Sequence, residues 1–368
     1  MIQKYTLLRK TWILIIALVA GQITSSQVLA QLPVATGRQF NLSNAAWKIF
    51  IPSSYQHRPG DVADLLVHFH GDPQTVWNNA LYAKLNSIVL TVNYSGLSSA
   101  YSGPFANSNL FGSIVNEALS VVRSQQDFSN TLAWDELGVS SFSAGYGAVR
   151  EILKSANYRN SIDALLAADS LYATTAGDGT PLDSQMVDYK TFASLAQAGS
   201  KTFLFSHSQV LTYTYENTME TGNELLQHLG ATATAVNESG LGTLDFYRTA
   251  ESGNFRLWGA LGADADSHLE HLRYIGEFFK ELPLAKLAAP GDFDHDGDFD
   301  GHDLIAWQRN PGIGNLVDWQ TNYGTVVPFT AISAPVPEPN SLIIILATSM
   351  LLKTRFALPS STRRTRRG

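Results

Sequence analysis

The chain has 368 residues, of which 45% are hydrophobic and 15% charged. That balance is enough for a sizeable core and excludes a disordered chain. A formal net charge of −7 with no basic face gives nucleic acid no footprint, and zero cysteines exclude disulfides, thiol nucleophiles and thiolate metal sites. In chain order, Lys4, Arg9 and Lys10 precede the apolar run Trp12 to Ala20, and Val28-Leu29-Ala30 offers small residues for cleavage. Residues 1–30 therefore read as a secretory signal peptide, or an uncleaved anchor, and the protein as exported.

Residues 31–286 alternate strand-like and helical patterns. Trp47 to Ile51, Leu65 to Phe69 and Ser87 to Tyr94 read as strands, followed by helical spacing over Phe111 to Val122. Leu137 to Phe142 is a strand with a helix after it over Tyr146 to Leu153. Ile162 to Ala168 and Lys201 to Phe205 are further strands, and Asn223 to Leu229 a helix. Asn254 to Gly259 closes the strands, and Leu269 to Leu282 forms a last amphipathic helix. This alternation predicts the α/β class, a mostly parallel sheet flanked by helices.

The chemical signal centres on Ser143. In Ser141-Phe142-Ser143-Ala144-Gly145 a strand ends and a helix begins, so a tight turn would lift the Ser143 hydroxyl clear of the sheet. The Gly-x-Ser-x-Gly pattern has serine in place of its first glycine, and a serine capping the helix is the plain alternative. Upstream, Leu65-Leu-Val-His-Phe-His-Gly71 is an apolar strand ending in His-Gly. Ser143, a later acid and a later histidine stand in the order Ser, acid, His. On these motifs, Ala46 to Leu282 resembles the α/β-hydrolase superfamily, nearest its esterase and peptidase-like members. The resemblance implies a backbone oxyanion hole at Gly71, Asp72 and Ala144. It also implies a base at His268, in the loop before the last helix. His271, beside the stripe Leu272, Ile275, Phe279, is the rival and reads as packing. Most members carry the acid after the strand ending here in Phe205-Ser-His-Ser-Gln209, which has no carboxylate. Asp169, closing the preceding strand, is the expected acid, with Asp264 and Asp266 as fallbacks.

A zinc site is the chemical competitor, because His68-Phe-His70-Gly-Asp72 resembles part of the metallo-β-lactamase signature. That signature needs a histidine where this chain has Pro73, so His68 reads as a supporting residue.

Residues 287–330 form a second unit. Asp292, Asp294, Asp296, Asp298 and Asp303, with Gly297 at the sixth position, have the spacing of a calcium loop. Leu304-Ile-Ala-Trp-Gln-Arg-Asn-Pro-Gly312 echoes Leu316-Val-Asp-Trp-Gln-Thr-Asn-Tyr-Gly324, predicting two small helices packed through Trp307 and Trp319. The aspartate ending the loop and the following tryptophan helix resemble a dockerin repeat. That resemblance implies one structural calcium ion and a possible cohesin-like partner, although the second copy lacks the loop.

In residues 331–368, Val336-Pro337-Glu338-Pro339, the apolar Leu342 to Leu352 and the late arginines resemble a PEP-CTERM sorting signal. It implies an exosortase-type processing enzyme and delivery to the cell surface or matrix, with a plain C-terminal membrane anchor as the alternative. The function expected is ester hydrolysis on a small-molecule or polysaccharide-linked substrate. The alternatives are a peptidase or acyltransferase using the same residues, or an inactive hydrolase fold serving as a surface scaffold.

Overall fold

The computed structural model describes residues 32–294 and 298–325. The signal peptide, Asp296 and the sorting signal expected from the sequence lie outside them. The chain divides into two compact units, residues 1–287 and 288–368.

The first unit is built on one ten-stranded sheet in the order β1-β2-β4-β3-β5-β6-β7-β10-β9-β8. Its strands are β1 (Gly37–Asn41), β2 (Trp47–Pro52), β3 (Val62–Phe69), β4 (Ser87–Val92) and β5 (Ala133–Phe142), then β6 (Ala164–Ala168), β7 (Thr202–His207), β8 (Thr234–Ser239), β9 (Asp245–Ser252) and β10 (Phe255–Ala260). The centre, β4-β3-β5-β6-β7-β10, is parallel, while β1, β2, β9 and β8 pair antiparallel at the two sides. The α/β class expected from the sequence is therefore present, in a mixed sheet.

The central strands are near-continuous apolar runs because both faces are covered. In β3, Leu65, Val67 and Phe69 enter one core while Leu66 enters the other. Asp64, fully buried at the start of that strand, is neutralised by Arg58 at 2.6 Å and accepts the amide of Ala285 at 2.6 Å. The helices are α1 (Pro73–Tyr82), α2 (Ser98–Phe105), α3 (Leu110–Arg123), α4 (Tyr146–Leu153), α5 (Ala156–Ser161), α6 (Asp183–Gln197), α7 (Thr218–Leu229), α8 (Ala265–Arg273) and α9 (Gly276–Phe279).

Two expectations need correction. The helix placed over Leu269 to Leu282 is two, α8 and α9, and begins at Ala265. The Asp264 side chain accepts the Ser267 amide at 2.9 Å and caps α8 there, so His268 lies inside the helix rather than in a preceding loop. The helix placed at Asn223 begins at Thr218, where Asn217 and Glu220 close a capping box.

In the second unit, α10 (Gly301–Arg309) and α11 (Leu316–Asn322) take the places of the two repeats. The Trp307 indole donates to the Gly314 carbonyl at 3.1 Å, and Trp319 to Asp300 at 2.7 Å. Trp307 thus ties α10 to the turn that follows it, and Trp319 ties α11 to the residue that caps α10.

Candidate functional site

Three of the five non-glycine residues with positive φ in the described chain stand at the carboxyl ends of adjacent strands. They are His70 after β3, Ser143 after β5 and Asp169 after β6, with φ of 70°, 46° and 44°. Left-handed backbone costs such residues roughly 1–3 kcal/mol each, and the cost gathers on one edge of the sheet. The pairing Phe142↔Ala168 then sets Ser143 and Asp169 side by side.

Close packing shapes the turn at Ser143. A Cβ on Gly145 would fall 2.2 Å from the Phe69 carbonyl oxygen, so only glycine lets the turn rest on β3. Ser141 fits at the first glycine position because it is buried and its hydroxyl accepts a 2.9 Å bond from Ser170, which also lies 3.0 Å from the Ser143 carbonyl. The Ala144 amide belongs to the first turn that follows, where helical N–H groups lack a partner within the helix. Across the edge, Gly71 (φ 138°) lies against Leu272 of α8, and its amide donates to Asn93 Oδ1 at 3.3 Å. The Asp72 carboxylate caps α1 through the Thr75 amide at 2.8 Å.

Asp169 is fully buried, and both its oxygens are engaged. Oδ1 accepts the Ser208 amide at 2.9 Å and the Thr218 hydroxyl; Oδ2 accepts the Ser208 hydroxyl at 2.7 Å and His268 Nδ1 at 2.6 Å. Burial pushes this carboxyl up. His271 and His268, together with the hydrogen bonds from His268 and Thr218, outweigh it and hold the group below the ordinary carboxylate range. An ionised Asp169 accepts the hydrogen bond from Nδ1–H, which keeps that proton on Nδ1 and leaves Nε2 of His268 as the basic nitrogen. The His268 ring stacks on Phe142, the residue before Ser143, with centroids 4.6 Å apart and planes at 27°. Buried Asn79 of α1 braces the junction of α8 and α9 by donating to the Arg273 carbonyl at 3.0 Å and accepting the Gly276 amide at 2.7 Å.

Ser143, Asp169 and His268 therefore come together on one sheet edge, with the Ala144 amide next to Ser143, whereas the Gly71 amide expected in the oxyanion hole is committed to Asn93. The other candidates do not join them. His271 is fully buried with Nδ1 2.8 Å from the Ser206 hydroxyl. Asp264 caps α8, and Asp266 pairs with Arg273 at 2.9 Å. His68 is buried with both ring nitrogens used, Nδ1 by the Ser140 hydroxyl at 2.5 Å and Nε2 by the His70 carbonyl at 2.9 Å, which leaves none for zinc. His70 Nδ1 lies 2.9 Å from the Tyr101 hydroxyl.

The residues that sequence reasoning missed are Ser208 and Thr218, the donors to Asp169. The Asn217-x-x-Glu220 signature marks the start of α7, but nothing local shows that Thr218 meets a residue 49 positions away.

Three buried histidines make the fold sensitive to acid. Burial lowers His68 and His207 from the ordinary 6.5 to about 3, and His271 to about 4. Between those values and 6.5 the unfolded chain binds more protons than the native one. Stability is thus fully present above pH 6.5 and is lost as pH falls toward 3. Scanning calorimetry from pH 7.5 to 4.5 should show a Tm nearly level down to about pH 6.5 and falling below it; a Tm that stays flat to pH 4.5 would contradict the buried neutral assignment.

In the second unit, carboxylate oxygens of Asp292, Asp294 and Asp303 lie within 4.8 Å of one another, as do those of Asp298, Asp300 and Asp303. Asp303 is buried and gathers the loop, accepting the amides of Phe293 at 2.5 Å, Asp294 at 3.2 Å and Asp300 at 2.8 Å.

No family model and no curated protein matches the sequence. Among solved structures, the chain is similar to a dienelactone hydrolase-like promiscuous phosphotriesterase from metagenomic libraries, at 12% identity over 68% of this chain and 99% of that one, with a TM-score of 0.37. It is also similar to the feruloyl esterase module from Clostridium thermocellum (12% identity, 69% and 89% covered, TM-score 0.39). A third is the acylaminoacyl peptidase of Pyrococcus horikoshii (12% identity, 70% and 42% covered, TM-score 0.38). At such identities and scores these likenesses assign no chemistry to the side chains.

Proposed function

We propose that the first unit is a serine hydrolase acting on carboxylic esters. The observation that carries this reading is the 2.6 Å contact from His268 Nδ1 to buried Asp169, made beside a serine held at φ 46° on the neighbouring strand end. Ser143 Oγ attacks the ester carbonyl carbon as its proton passes to His268 Nε2, and the imidazolium is stabilised by Asp169. The amide of Ala144, with that of Asp72, faces the negative charge developing on the carbonyl oxygen, since the Gly71 amide is already donated to Asn93. The alcohol leaves with the proton from His268; water then cleaves the acyl-serine by the same route in reverse.

The second unit has the donor chemistry for one calcium ion: the carboxylate oxygens of Asp292, Asp294 and Asp303 converge there and would hold it, with Asp298 contributing its backbone carbonyl. Its role is to stabilise that unit. Export through residues 1–30, retention or processing through residues 331–368 and a cohesin-like partner are part of the same proposal, and they fit an extracellular, polysaccharide-linked ester. Peptide hydrolysis or acyl transfer would use the same residues.

Purified full-length protein should hydrolyse 4-nitrophenyl acetate, and chelation of calcium should lower Tm while leaving the initial rate unchanged. Absence of turnover by folded protein would refute the hydrolase reading. Loss of rate at once on chelation, with the fold intact, would make the metal catalytic.

A further inference from the structure

Resting on that reading of Ser143, we propose that a row of tyrosines leading outward from the site is a subsite for an aromatic ring carried by the ester. Tyr146 follows Ser143 by three residues and Tyr172 follows Asp169 by three, so the paired ends of β5 and β6 deliver both rings to the same edge. Their centroids are 5.4 Å apart with planes at 53°, and Tyr215, from the segment between β7 and α7, continues the row 5.7 Å from Tyr172 at 75°.

The inner end of the row is held in place. The Arg150 guanidinium lies 4.8 Å from the Tyr146 ring centroid and donates to the Tyr172 carbonyl, while the Tyr146 hydroxyl donates to Ser98 at 3.0 Å. The outer end is open, because Tyr215 is 45% exposed and Tyr213 is 93% exposed. Exposed apolar side chains gather here more widely. Of the eight large ones described in the first unit, only Val34 and Val187 lie outside the segments following β4, β7 and β10.

The tilted geometry selects the ligand. One pair is tilted and the other edge-to-face, the arrangements in which aromatic rings prefer to meet, so a further ring on the ligand extends the pattern. The class is therefore an aryl ester, with the ring on either the acyl or the alcohol side.

The test is calorimetric titration of the Ser143→Ala protein with 3-phenylpropanamide (ring on the acyl side), N-phenethylacetamide (ring on the leaving side) and ring-free hexanamide. At least one ring-bearing amide should bind about tenfold tighter than hexanamide. Adding Tyr172→Leu or Tyr215→Ala should abolish that preference, and adding Val34→Ala should preserve it. The exposed Tyr215 site keeps the test open if Tyr172→Leu fails to fold. Equal binding of all three amides, or a preference that survives Tyr215→Ala, would overturn the subsite. Because binding needs no turnover, this outcome is read independently of whether Ser143 is a nucleophile.

Discussion

Asp169→Asn should lower kcat for ester hydrolysis by about 10⁴-fold while the protein remains folded. The expected size follows from the proton on His268. Asp169 Oδ2 accepts from Nδ1 at 2.6 Å, which leaves Nε2 free to take the serine proton. An asparagine amide can instead present its N–H₂ to Nδ1, placing the ring proton on Nε2, where it blocks general-base action. The Ser208 amide and Thr218 hydroxyl, which donate to Oδ1, still have the amide oxygen to bond, and the Ser208 hydroxyl at Oδ2 can turn to accept from the new N–H₂, so the geometry survives and the loss is chemical. Steady-state rates with near-ultraviolet circular dichroism as the fold control check this. A loss smaller than about tenfold would mean that another group orients His268.

Gly145→Ala should both destabilise the first unit and inactivate it. The added methyl would stand 2.2 Å from the Phe69 carbonyl oxygen and 2.8 Å from its carbon, both backbone atoms with no rotamer to relieve the clash. Overpacking of this kind costs about 1–3 kcal/mol, a fall of roughly 2–10 °C in Tm for a domain of this size. Activity should fall further than stability, because the turn that must move carries Ser143, and about 1 Å of displacement at a reacting group costs on the order of 10²-fold. Gly103→Ala is the control, since a methyl there meets nothing within 4 Å. Thermal denaturation and kcat measured on both variants separate a specific clash from a general intolerance of alanine.

The legible parts of the fold are those dictated by local pattern. β3, β4 and β6 read as strands because strands buried on both faces are continuous apolar runs, and the break from Phe142 to Ser143 reads as a strand-to-helix turn because small residues cluster there. β1, β8 and β9 went unread: they are partly exposed side strands whose apolar residues are sparse, and tertiary pairing rather than propensity makes them strands. The long amphipathic pattern after Ala265 hid the break at Tyr274 and Ile275, where α8 ends and α9 begins. The candidates Ser143, Asp169 and His268 were named from the strand-to-helix turn, a carboxylate at a strand end and the placement the superfamily resemblance implies. Their supports were not, since Ser208, Thr218 and Asn79 act across 39, 49 and 194 residues of sequence, distances that only folding closes.

The measurement closest to the central claim is fluorophosphonate labelling of the full-length protein, with the adduct mapped by peptide mass spectrometry. The reading of Ser143 as an activated nucleophile predicts one adduct, on Ser143, absent from Ser143→Ala and formed much more slowly in Asp169→Asn. A folded wild-type protein that takes up no label, or an adduct that persists in Ser143→Ala, would contradict it.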